Sequence, residues 1–174
     1  MLVDPEDNYQ GLGSITIENG LISSINGTSI GKEVNCKKAL LAPGIIDIGV
    51  KICEPGDRHK ESFKSASSAA AAGGVTTMVT RPDTNPAIDT PEILEYFMTR
   101  AQQVSSVKIF PMAALTKNLK GQEITEIAFL RDKGAIAFTN GLKQISDTKV
   151  FLNALKYVSD LDTLLVVHPQ DSFL

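Results

Sequence analysis

The sequence predicts an α/β fold in which a short β-hairpin precedes a run of alternating strands and helices. Three observations predict it. Two β-branched, alternating runs are joined by Asn19-Gly20; short apolar stretches and amphipathic stretches alternate from about Leu40 onward; and glycines or helix-capping residues stand at the joints. With 174 residues, 43% hydrophobic and 21% charged, the chain has enough apolar material for one sizeable core.

Ser14-Ile-Thr-Ile-Glu18 and Leu21-Ile-Ser-Ser-Ile25 read as the strands of the hairpin, because Asn-Gly best tolerates the positive φ angles of a type I′ turn. After Gly31-Lys-Glu-Val-Asn-Cys-Lys-Lys38 the pattern changes. Residues 45–52 read as a buried strand, 61–72 as a helix ended by Gly73-Gly74, and 76–80 as the next strand. Thr90-Pro91-Glu92 supplies an N-cap, a first-turn proline and an acid favoured by the helix dipole, opening a helix to about Ser105. Residues 107–113 read as a third strand, 123–132 as a third helix and 135–139 as a fourth strand. Asp147 caps a helix to Asp160, and 163–168 form a fifth strand.

Strict alternation implies parallel strands with right-handed crossovers, in either an open doubly wound sheet or a β/α barrel. Eight barrel units need about 250 residues, so the barrel reading of these five units requires a sequence that continues past Asp171-Ser-Phe-Leu174. Several function classes are excluded by composition. No apolar run approaches the roughly 20 residues that cross a bilayer, and Met1-Leu-Val-Asp-Pro-Glu-Asp7 is acidic rather than a basic leader. Neither a membrane nor a nucleic-acid partner is expected, since a net charge of −3 with interspersed signs offers no basic stripe. Cys36 and Cys53 have no metal-type spacing and read as free thiols of a cytoplasmic protein.

Three segments carry a resemblance. The first is Leu41-Ala-Pro-Gly-Ile-Ile-Asp47 leading into Glu54-Pro-Gly56 and Lys60-Glu61. The second is Ala69-Ala-Ala-Ala-Gly-Gly-Val-Thr-Thr77 followed by Arg81-Pro-Asp-Thr-Asn-Pro86, and the third is Lys133-Gly-Ala-Ile-Ala-Phe-Thr139 with Val166-Val-His-Pro-Gln-Asp171. In this order they resemble the dihydroorotases of the long bacterial type, within the cyclic amidohydrolases. The resemblance implies that residues 41–174 are the first about five units of a (β/α)8 amidohydrolase barrel. Residues 1–40 would then be the hairpin portion of a small β-domain. It also implies cyclisation of carbamoyl aspartate to dihydroorotate in pyrimidine biosynthesis, with zinc activating water at the carboxyl ends of the strands.

The family's opening strand carries Asp-x-His-x-His-x-Arg. Asp47 is kept, but the two histidine positions are Gly49 and Lys51, and the arginine that would clamp a substrate carboxylate is Cys53. Asp83 stands where relatives have an asparagine that donates to the same carboxylate, and the acidic pair after the fourth strand reads Asn140-Gly141. His168 matches the metal-binding histidine of the fifth strand. The plain structural reading of His168 is a strand-end side chain satisfied by backbone, and that of Asp47 is a structural hydrogen bond. His59 reads as a solvated loop residue. Lys51 is expected to pair with Asp47, Glu54 or Asp83 in place of a metal; Arg81 either neutralises Asp83 or is a surface charge. No catalytic residue and no cofactor is therefore expected in this chain. The resemblance implies a non-catalytic homologue that scaffolds aspartate carbamoyltransferase or self-associates, the alternative being an active zinc-dependent dihydroorotase with an altered site.

Overall fold

The computed structural model describes residues 1–28 and 31–170, so the segment from Asp171 onward lies outside the described residues. The chain divides into two compact units, Met1–Gly44 and Ile45–Leu174.

In the first unit β1 (Leu2–Asp4) pairs antiparallel with β2 (Tyr9–Gly11), and β3 (Ile15–Glu18) with β4 (Leu21–Ile25). The second ribbon is the expected hairpin. Its turn residues Asn19 and Gly20 have φ of 52° and 79°, the type I′ sign at both positions. Ile15 faces Ile25 and Ile17 faces Ile22, a cross-strand apolar pairing of the kind that holds a ribbon together. The β1/β2 ribbon was not foreseen; backbone bonding ties its first strand to Leu41 (Val3 N to Leu41 O, 2.8 Å).

The second unit alternates β5 (Ile45–Val50), α1 (Phe63–Ala72), β6 (Val75–Thr80), α2 (Pro91–Val104), β7 (Lys108–Ala114), α3 (Ile127–Asp132), β8 (Ala137–Thr139), α4 (Thr148–Asp160) and β9 (Leu164–Val166). All neighbouring strands are parallel, in the order β5-β6-β7-β8-β9. That consecutive order chooses between the two topologies, because a doubly wound sheet reverses its strand order and a barrel does not.

The two faces of this curled sheet bury different layers. Met78, Ala113, Phe138 and Leu165 face the helices, packing with Phe63, Leu94, Phe97, Ile127, Leu130, Ala154 and Val158. Their strand neighbours Val79, Met112, Ala137 and Val166 form a second cluster, one side chain from each of β6 to β9. Alternate residues serving alternate layers is the period-2 pleat expressed in packing. Phe63 and Phe97 meet edge to face with centroids 4.7 Å apart, adding about 1 kcal/mol to their burial.

Several boundaries differ from expectation. The first helix starts at Phe63 because Ser62 and Ser65 form a capping box. Residues 123–126 are not helical: Ile124 bridges Thr116, and the Thr125 hydroxyl donates to the Ala114 carbonyl at 2.7 Å. Thr90 occupies the N-cap position of α2 without a side-chain cap bond, whereas Asp147 caps α4 by accepting from the Lys149 and Val150 amides. The fifth strand ends at Val166, leaving His168 two residues beyond it. No helix among the described residues is long and apolar enough to cross a membrane.

Candidate active-site mouth

The nominated positions follow the carboxyl ends of successive strands: Lys51 after β5, Asp83 after β6, Asn140 after β8 and His168 after β9. The loops carrying the first two interlock. The Asn85 amide donates to the Pro55 carbonyl at 3.2 Å, and any Cβ on Gly56 (φ +102°) would collide with the Asn85 backbone. Two of the segments that carried the resemblance thus pack directly on one another. Glycine at position 56 is dictated by that approach.

Lys51 Nζ lies 3.1 Å from Asp83 Oδ2. Arg81 grips the same carboxylate with both arms of its guanidinium, Nε to Oδ1 at 3.0 Å and a terminal nitrogen to Oδ2 at 3.1 Å. Of the three carboxylates offered to Lys51, Asp83 is its partner. Glu54 is engaged elsewhere, buried and bonded to Arg100 Nε at 3.0 Å and to the Phe63 amide at 3.1 Å. Arg81 is not a surface charge, because its side chain is only 20% exposed. From the far side, a Cβ on Gly141 would stand 3.5 Å from Asp83 Oδ1. An acidic residue there would face Asp83 directly.

Burial raises the Asp83 carboxyl, but hydrogen bonds from Arg81 and Lys51 outweigh it and hold the group below its ordinary value. A carboxyl depressed in the folded state stabilises above its unfolded value, and that contribution is lost as pH falls through the folded value. Below about pH 4, the urea midpoint of the wild type is therefore expected to fall more steeply than that of Asp83→Asn. Parallel pH profiles would contradict this.

Asp47 is exposed on β5 and makes no side-chain hydrogen bond among the described residues. Gly49 has φ of +93° and interrupts the register between Ile48↔Val79 and Val50↔Thr80. Cys53 joins Lys51, Asp57, Asp83 and Thr84 around a cavity of about 190 Å³. His59 is exposed, as expected of its loop.

Asn140 is buried and self-contained. Its Oδ1 accepts from the Thr116 amide at 3.1 Å and lies 3.0 Å from the Thr116 hydroxyl, and its Nδ2 donates to that hydroxyl at 2.8 Å. Thr116, which the sequence did not single out, also takes a bond from the Gly121 amide at 2.9 Å. Asn140 and the exposed His168 line a second cavity of about 280 Å³ with Lys143, Phe151 and Val167. A larger, open depression of about 570 Å³ near Leu119 and Leu142 includes none of the nominated residues. Among the described residues, no three His, Cys, Asp or Glu side chains are grouped so as to hold a metal ion.

Residues 38–174 match the family model for dihydro-orotase-like proteins. A dihydroorotase-like protein of Pseudomonas putida is 36% identical over 98% of this chain, and a dihydroorotase of Aquifex aeolicus is 34% identical over 99%. The chain spans about two fifths of the length of these relatives, 41% and 42%. Among solved structures, an L-hydantoinase (dihydropyrimidinase) from Arthrobacter aurescens superposes with a TM-score of 0.74 at 21% identity, covering 92% of this chain and 38% of its own. A Saccharomyces cerevisiae dihydroorotase in complex with 5-fluoroorotic acid gives 0.56 at 15% identity, covering 74% and 39%. Those structural likenesses show the amidohydrolase barrel fold. The family match over most of the sequence shows more: this chain belongs to the dihydro-orotase-like family.

Proposed function

We propose that this protein is a non-catalytic member of the dihydroorotase family, acting in the cytoplasm in pyrimidine biosynthesis as a scaffold for aspartate carbamoyltransferase. The observation that carries the reading is the ion pair between Lys51 and Asp83 at 3.1 Å. Lys51 stands at a position where the family has a metal-binding histidine, and an ammonium repels a metal ion. Gly49, at the other histidine position, has no side chain to offer. Asn140 Oδ1 is already used by Thr116. Zinc needs three or four convergent nitrogen, sulfur or oxygen ligands, and the residues at these positions do not fit it.

The test is metal analysis of the full-length protein purified without chelator, alongside dihydroorotate hydrolysis and co-purification with aspartate carbamoyltransferase. The expected result is substoichiometric zinc, no turnover and a stable complex. Stoichiometric zinc with turnover would establish the alternative, an active zinc-dependent cyclic amidohydrolase. An inert protein that ignores aspartate carbamoyltransferase would remove the scaffold role.

A further inference from the structure

We propose that Lys51 and Arg81 form a carboxylate-binding site at the mouth of the sheet, and that the chain's own Asp83 occupies it. The arrangement around Asp83 is that of a bound anion. Arg81 supplies a two-pronged guanidinium grip at 3.0 and 3.1 Å, and Lys51 adds an ammonium at 3.1 Å. A bidentate arginine together with a second cation is the donor set that recognises small carboxylates. The two cations come from different loops, after β5 and β6, so the carboxylate bridges them as a ligand would.

The site is partly open. The Lys51 side chain is 51% exposed, and the adjoining cavity of about 190 Å³ has room for a short dicarboxylate beside Thr84 and Asn85. Asp57 also lines this cavity, but its charge is taken by Lys60 at 2.9 Å. Removing the Asp83 carboxylate therefore leaves two cations facing one space without a counter-ion. In the wild type a free carboxylate must compete with Asp83, an internal ligand already held by both cations.

This deepens the non-catalytic reading, and its test is read in binding rather than turnover, so the two can fail separately. Malonate is titrated by calorimetry into the full-length wild type, Asp83→Ala and the double variant Lys51→Met/Asp83→Ala. Asp83→Ala is expected to bind malonate at least about tenfold more tightly than the wild type, with an affinity that falls as salt rises. The double variant is expected to lose that gain. Where Asp83→Ala does not fold, Asp83→Asn, isosteric and neutral, takes its place in the same comparison. Equal malonate affinity in the wild type and the folded Asp83 variant overturns the proposal, as does a gain that survives loss of Lys51.

Discussion

Glu54→Ala is expected to lower the stability of the barrel unit by about 3 kcal/mol, the penalty of breaking a buried ion pair at one end. Glu54 is 3% exposed, and its two oxygens serve different elements. One accepts from the amide of Phe63, the first residue of α1, at 3.1 Å; the other accepts from Arg100 Nε of α2 at 3.0 Å. Helix N-termini leave their first amides without intrahelical partners, and a carboxylate there is also favoured by the helix dipole. Ser62 caps the Ser65 amide, so Glu54 completes the cap at a position Ser62 does not reach. Its removal strands the Phe63 amide and leaves Arg100, 26% exposed, without a counter-charge.

Glu54→Gln keeps an acceptor for Phe63 but loses the charge, and about half the penalty is expected. Arg58 lies 3.7 Å from Glu54 and is 63% exposed, so Arg58→Ala is expected to cost no more than about 0.5 kcal/mol. Urea midpoints, with hydrogen exchange at the Phe63 amide, measure all three. A Glu54→Ala midpoint equal to that of the wild type would remove this account of the Glu54-Pro-Gly56 motif.

The order of strands and helices was legible because each buried element shows its layer in its own alternation, as Val79 beside Met78 and Ala137 beside Phe138 do. The β1/β2 ribbon was not, because Tyr9-Gln-Gly11 has no apolar period; it is held by backbone pairing and by the Tyr9 hydroxyl donating to the Leu12 carbonyl. The start of α3 was misjudged for a related reason. Residues 123–126 look helical locally, but Thr125 and Ile124 bond across to β7 and its following loop. At the mouth, charge narrowed Lys51 to three partners without choosing among them. The choice depends on Arg100, 46 residues from Glu54, having taken that carboxylate first. Thr116 went unnoticed as the partner of Asn140 because nothing in a lone threonine reports an amide 24 residues away.

Restoring the two family histidines, Gly49→His with Lys51→His, is expected to leave the protein with substoichiometric zinc and a lower unfolding midpoint. Among the described residues space is not the obstacle at position 49, since a Cβ there meets none of them within 4 Å. The backbone is: φ of +93° suits glycine, and a β-carbon held there costs about 1–3 kcal/mol unless the strand re-registers against β6. At position 51 the loss is electrostatic. Without the ammonium, Asp83 keeps only Arg81, and its carboxylate can hold the new imidazole in an imidazolium ion pair, in competition with a metal for that ring. Among the described residues, the position after β8 adds no anionic donor. Asn140 Oδ1 is committed to the Thr116 amide and hydroxyl, and a neutral carboxamide is a poor zinc ligand. Adding Asp83→Asn and Asn140→Asp to the histidine pair removes the competing carboxylate and supplies an anionic donor, so this quadruple variant is expected to retain more zinc than the double. Zinc content after dialysis measures both, and a stoichiometric ion in the double variant alone would show that Gly49 and Lys51 were the only barriers at this mouth.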